Sequence, residues 1–237
     1  MRTTRAFELA SVPLLRALPP DRLEHLTPYL ATATLARGST LFREGDPTDT
    51  LWIVRDGSIA LEILGLNAQR LLYGLLGPGD TVGELGLTHA STQASTALAL
   101  APTSVLRLPL SHVRSAFTDA PQAAWALCAI LAEQIARSHD ALRALATMNV
   151  TERVATQLCD LAERQGTPRS DGSVALAPGL THETLAGLVG ATRESVSRVM
   201  SSFRRRGLVR AGRGIYVLTN PPALQSSAAR PASAPTT

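Results

Sequence analysis

Four side chains near residue 195 have the types and the spacing to read nucleic-acid bases. Placed on a helix, Arg193, Glu194, Ser197 and Arg198 fall at about 0°, 100°, 40° and 140° around the axis, within a single arc. A guanidinium forks onto O6 and N7 of guanine, and a carboxylate accepts from the N4 amino group of cytosine, so this arc carries the chemistry for G·C pairs in a major groove. Glu194 discriminates between readings, because phosphates repel a carboxylate and a helix that merely grips backbone gains nothing from one. The alternative is an i,i+4 ion pair of Glu194 with Arg198 on a solvated face.

The flanking residues supply the elements that would hold this arc. Thr181 is placed to cap a first helix with an apolar face of Leu185, Leu188 and Val189, and Gly190 ends it with a residue that tolerates positive φ. Thr192 caps the next helix, whose buried side is expected at Val196, Val199 and Phe203. This is a helix-turn-helix. Arg204, Arg205 and Arg206 close the second helix, and a hairpin from Leu208 to Leu218, turning at Gly212-Arg213-Gly214, carries Arg210 and Arg213. From Ser173 to Gly214 there are 7 Arg against 2 acids. A basic hairpin directly after a reading helix has the layout of a winged helix, with Arg210 and Arg213 available to phosphates. The aromatic platform that single-stranded RNA requires is missing.

Upstream, the pattern changes twice. Residues 151 to about 166 form an amphipathic helix with Val154, Leu158, Leu161 and Ala162 on one face, capped by Thr151 or Asn149; a polar stretch, Gly166 to Gly172, then leads to a short strand at Val174 to Leu176. From Pro121 to about Asn149 a long helix free of Gly and Pro is predicted. Its positions Cys128, Leu131, Ile135, Ser138, Leu142, Leu145 and Asn149 are spaced 3, 4, 3, 4, 3, 4, a heptad seam with a polar residue in the middle. Such a seam pairs with an identical helix or lies on the core of its own domain. Ser138 either serves a role that offsets its polarity or bonds its own helix carbonyl. Between Leu35 and Leu108 the turn signals Arg37-Gly38, Glu44-Gly45-Asp46-Pro47, Asp56-Gly57 and Pro78-Gly79-Asp80 separate short strands, among them an alternation of Ile59, Leu61 and Ile63 with Ala60 and Glu62. Many short strands indicate a β-sandwich or roll. Val12 to Leu30 reads as helical, with Pro19-Pro20-Asp21 opening a second short helix.

Composition narrows the function classes. All 23 basic residues are Arg, against 19 acids. Residues 1–150 carry 12 Arg against 13 acids, whereas residues 151–237 carry 11 against 6, so the positive field belongs to the C-terminal third and suits an acidic partner. Two cysteines, Cys128 and Cys159, and five scattered His make no metal cluster, and no nucleophile elbow, Walker loop or HExxH motif is present. An enzyme is not expected. The longest apolar run, Ala123 to Ala132, has 10 residues, half a membrane span, so a cytoplasmic protein without membrane partners is expected.

Over roughly residues 10–220 the chain resembles the family of the cyclic-AMP receptor protein and the fumarate-and-nitrate-reduction regulator, whose recognition helix closely matches Thr192 to Arg198. The resemblance implies an α+β fold: a cyclic-nucleotide-binding-like β-roll (a jelly roll) at 1–118, a long dimerisation helix at 119–148, a winged helix-turn-helix at 149–220 and a flexible tail at 221–237. It implies a homodimeric, sequence-specific transcription regulator that reads a palindromic site with TGTGA and TCACA arms and works with RNA polymerase. Base reading then falls to Arg193, Glu194, Ser197 and Arg198, and phosphate contact to Thr151, Thr181, Thr192 and Ser195, beside Arg210 and Arg213. Leu131, Ile135, Ser138, Leu142 and Leu145 would form the dimer interface. Gly83-Glu84-Leu85-Gly86 resembles the family's phosphate-binding cassette, with the Gly83 peptide approaching a cyclic phosphate and Glu84 accepting from a ribose hydroxyl or merely holding the turn. Ser95 is retained from the Arg-Ser pair that follows in cAMP binders, but Gln93 or Ala94 replaces the Arg. Ser138 lies where the family's dimer helix touches adenine, and His139 follows it. An effector such as cAMP is thus implied without its phosphate partner, and an effector-independent regulator, or a sensor acting through protein partners, stays open.

Overall fold

The structure, a computed structural model, describes residues 6, 8–65, 70–88, 92–118, 120–176, 178–212 and 215–227. The chain divides into two compact units, Met1–Asn67 with Gly74–Ser138, and Ala68–Tyr73 with His139–Thr237.

Among the described residues up to Pro109 there are eight strands: β1 (Ala31–Leu35), β2 (Thr40–Phe42), β3 (Thr50–Asp56), β4 (Ile59–Leu64), β5 (Arg70–Leu76), β6 (Thr81–Val82), β7 (Thr96–Ala99) and β8 (Thr103–Pro109). They form two four-stranded sheets, ordered β1-β8-β3-β6 and β2-β7-β4-β5. Val54 and Val105 of the first sheet cluster with Phe42, Ile59, Leu61 and Ala97 of the second. Because successive residues of a strand face opposite ways, Leu51, Ile53, Leu106 and Leu108 point to the other side of the first sheet. There they meet α1 (Pro20–Leu26), α2 (Leu110–Phe117) and the start of α3 (Pro121–Thr147).

Two local expectations change. In β4, Ala60 and Glu62 are as buried as Ile59 and Leu61, so the alternation of residue types does not mark a wet face. Residues 12–18 fold as successive tight turns, Leu15 N–H to Val12 O and Leu18 N–H to Leu15 O, rather than as a helix. Pro19 disfavours helical backbone at Leu18, and the helix starts only at Pro20.

The helix α3 runs for 27 residues, and Ala123 is its single fully buried residue. In the second unit, α4 (Val150–Gln165) is capped by Asn149 and not by Thr151: Asn149 accepts from Glu152 N–H at 3.1 Å, and the Glu152 carboxylate accepts from Asn149 N–H at 2.7 Å. The helices α5 (His182–Val189) and α6 (Arg193–Arg205) pack on α4 and on each other. A four-stranded sheet, ordered β11-β12-β10-β9, joins β9 (Thr167–Pro168), β10 (Val174–Ala175), β11 (Val209–Gly212) and β12 (Ile215–Leu218). The short strand expected at Val174 to Leu176 is β10, whereas its partner β9 escapes sequence reading because it pairs only two residues and lacks an apolar alternation.

The tail expected from Pro221 begins as a helix instead. In α7 (Pro221–Ser226), Asn220 caps by accepting from Ala223 N–H, two prolines open the first turn, and Leu224 is wholly buried. One well-placed leucine orders a segment whose composition alone looked too polar and too small to bury. Residues 228–237 of the expected tail lie outside the described residues.

Candidate nucleic-acid interface and effector cassette

The helix α6 is positioned by its neighbours through three caps. Thr181 Oγ1 accepts from Thr184 N–H at 3.1 Å, Gly190 takes the left-handed conformation (φ 60°) with its N–H on Ala186 O, and Thr192 Oγ1 accepts from Ser195 N–H at 3.3 Å. A Cβ at Gly190 would also stand 2.9 Å from Leu145 Cδ2. The inner face of α6 is Val196, Met200 and Phe203, all fully buried, whereas Val199 is only partly covered. Met200, spaced 4 and 3 from its partners, fits the helical repeat as well as Val199 does, and only the packing against α4 and α5 chooses between them.

On the outer face Arg193, Glu194 and Arg198 are exposed and Ser197 half-buried. Glu194 forms no ion pair with Arg198 among the described residues; Arg198 Nη2 instead donates to Ser195 Oγ at 3.4 Å. Arg193 and Glu194 have no hydrogen-bond or ion-pair partner among the described residues. The group that distinguishes base reading from a surface ion pair is therefore available to a ligand. Ser195 Oγ also accepts from Thr192 Oγ1 at 3.0 Å, which leaves its own hydrogen to be donated outward.

In the wing, Arg210 lies 3.1 Å from Asp171 Oδ2. Hydrogen bonds from the Ser173 hydroxyl and N–H, with Arg210 adding to them, hold the Asp171 carboxyl down at about 2. Arg213 lies outside the described residues. Tyr216 of β12 stacks on His182, centroids 6.1 Å apart and planes 9° from parallel. Thr151 sits half-buried in the first turn of α4.

Arg153 was missed by sequence reading. Its guanidinium donates to Met148 O at 2.9 Å, Val189 O at 2.8 Å and Gly190 O at 3.3 Å, tying the end of the long helix to the turn of the helix-turn-helix. Its place opposite the apolar face of α4 gave no signal, because the three carbonyls come together only in the folded unit.

In the first unit, Gly83 opens the cassette at φ 95°, and a Cβ there would stand 2.4 Å from Thr50 O, so only glycine fits. Glu84 is 4% exposed. Its Oε1 accepts from Gln134 Nε2 of α3 at 2.7 Å, while Oε2 has no hydrogen-bond partner among the described residues. Burial pushes its pKa up, against the Gln134 bond. Arg114 donates to Gly86 O, Leu85 is exposed, Ser95 and Gln93 are buried, and Ala94 is exposed. These residues offer an acceptor to a hydroxyl or amine, and the guanidinium of Arg114 beside them is spent on the Gly86 carbonyl. Ser138 donates to Gln134 O at 3.0 Å, the helix-bonded alternative of the two, and His139 is exposed.

The expected seam is open along α3. Ile135 is 56% exposed, Leu142 64% and Leu145 46%, with Leu131 half-buried, and Trp125 beside the seam is 76% exposed. Among the described residues no helix is long and apolar enough to cross a membrane.

Residues 152–227 match the Crp-like helix-turn-helix domain and residues 32–119 the cyclic nucleotide-binding domain. Together with the fold, this defines a transcription regulator with a helix-turn-helix DNA-binding domain and a cyclic nucleotide-binding domain. The chain is 31% identical over 202 residues, 85% of its own length and 90% of the other's, to a CRP-like cAMP-activated global transcriptional regulator of Mycobacterium tuberculosis. It is 30% identical over 204 residues, with the same shares, to the cyclic AMP receptor protein of Thermus thermophilus. In fold it is similar to FixK2 from Bradyrhizobium japonicum, with a TM-score of 0.76 at 24% identity over 86% of this chain and 99% of that one. The chain belongs to the family of the cyclic-AMP receptor protein and the fumarate-and-nitrate-reduction regulator, whose members are transcription regulators rather than enzymes.

Proposed function

We propose that the protein acts in the cytoplasm as a homodimer that binds a palindromic site with TGTGA and TCACA arms and regulates transcription together with RNA polymerase. The observation that carries this reading is that Arg193 and Glu194, without a partner among the described residues, stand on the exposed face of α6, opposite the buried Val196, Met200 and Phe203. Arg193 and Arg198 donate to guanine, Glu194 accepts from cytosine, and Ser197 lies between them. Thr151, Thr181, Thr192 and Ser195 contact phosphates; Arg210 and Arg213 do so from the wing, Arg210 by exchanging Asp171 for phosphate. Two copies of α3, joined along Leu131, Ile135, Ser138, Leu142 and Leu145, set the reading helices one duplex turn apart, about 34 Å.

Control by cAMP is not part of the favoured reading. Gly83, Glu84, Leu85, Gly86 and Ser95, with Ser138 and His139 of α3, suit a hydroxyl-bearing effector better than a phosphate, because Ala94 or Gln93 stands where the family resemblance calls for Arg. An unneutralised phosphate there forgoes a charge-assisted bond of roughly 1.5–3 kcal/mol. The test is fluorescence anisotropy with a TGTGA-N6-TCACA duplex and a scrambled one, across salt, with and without cAMP. Preference for the first duplex, a steep loss with salt and no response to cAMP are expected. Equal affinity for both duplexes overturns base reading, and a cAMP-dependent gain overturns the effector assignment alone.

A further inference from the structure

We infer that His182 is a further phosphate-binding residue of the DNA interface and binds in its imidazolium form, so that each half-site takes up one proton from the buffer on docking. This rests on the DNA-binding reading above.

His182 opens α5, directly after Thr181, and its ring is half-buried against the wing. The near-parallel stack on Tyr216 fixes the plane of the imidazole between the reading helix and the wing. The charged and titratable groups that face it are Arg193 and Arg204 of α6 and Tyr216 of β12, with the exposed Glu183 following on its own helix. The ring thus shares its surroundings with two guanidiniums. Partial burial first, then Arg204 and Arg193, hold it below the ordinary imidazole range, so it is neutral in the free protein at neutral pH. A phosphate arriving beside Arg193 and Arg204 cancels the repulsion that kept the proton off. It also supplies the acceptor that an imidazolium N–H needs.

The sign follows from linkage: the bound form holds the proton more tightly than the free form, so affinity rises as pH falls between the two pKa values and is flat on either side. With one histidine per half-site, a gain of about tenfold at each makes the dimer bind about a hundredfold more tightly at the low-pH end of that window than at its high-pH end.

The experiment uses the full chain and the TGTGA-N6-TCACA duplex, with anisotropy against pH and calorimetry in two buffers of different ionisation enthalpy, which counts protons taken up. Wild type should show uptake and the pH slope. His182→Gln should bind with a flatter slope and less uptake, whereas His182→Arg, a permanent cation, should bind tightly at both ends of the range without proton uptake from this site. Unchanged uptake in His182→Gln, with duplex binding intact, overturns the inference. So does a His182→Arg variant that keeps the wild-type slope. Failure of the wild type to prefer its duplex at any pH strikes the base-reading proposal instead, which separates the two.

Discussion

Replacing Arg193 with Ala removes a forked donor from the reading face and no contact from the fold, since the side chain has no partner among the described residues. We expect a loss of about 1–3 kcal/mol on the TGTGA duplex, concentrated at one guanine, with unchanged thermal stability. Substituted duplexes in a binding titration check it: a uniform loss across all sequences would assign Arg193 to phosphate. At Glu84 the effect is on stability. Its folded pKa lies above that of the unfolded chain, so the folded state binds the extra proton, and the contribution present at low pH is lost as pH rises through the raised value. Glu84→Gln should remove that slope from denaturation midpoints measured across acid to neutral pH. A slope equal to wild type would mean that the carboxylate is not the buried group it is described to be.

At the scale of elements, the joints between helices are built from side chains that serve backbone carbonyls. Arg153 is the strongest case. Losing its charge-assisted bonds to Met148, Val189 and Gly190 should destabilise the second unit by about 2–3 kcal/mol in urea denaturation. Arg153→Lys should recover little, because an ammonium cannot fork across carbonyls on two elements; full recovery by Lys would mean that charge alone suffices. The elements themselves were legible in the sequence where a cap coincides with an apolar period. Thr181, Gly190 and Thr192 marked both helices of the reading motif, and the turn signals marked the strands of the roll. Met200 was passed over for Val199 because two apolar residues at neighbouring positions both fit the repeat, and the strand β9 and helix α7 were too short for any period to show.

For the whole molecule, the apolar residues left open along α3 carry the prediction. Leu142 is 64% exposed, so Leu142→Asp should leave the fold of the chain intact. It should also give a monomer by sedimentation equilibrium, with operator affinity lower by about a hundredfold or more, since each reading helix then binds without the other's effective concentration. A variant that stays dimeric, or a monomer that binds as well as wild type, would show that the seam is not what joins the copies.

What the amino-acid sequence determined by itself was local: the spacing of Arg193, Glu194 and Arg198, the caps around them and the concentration of Arg in the C-terminal third. These follow from residue type and helical or strand period alone, which act over a few residues. Only the tertiary structure decided that Glu194 is not paired with Arg198, that Ser138 bonds its own helix, that Glu84 is buried with an oxygen unpaired among the described residues, that Arg153 ties the end of the long helix to the turn after α5, and that His182 stacks on Tyr216. Each of those outcomes depends on groups brought together from distant parts of the chain or on a choice between two equally good local bonds, and packing settles that choice where periodicity cannot.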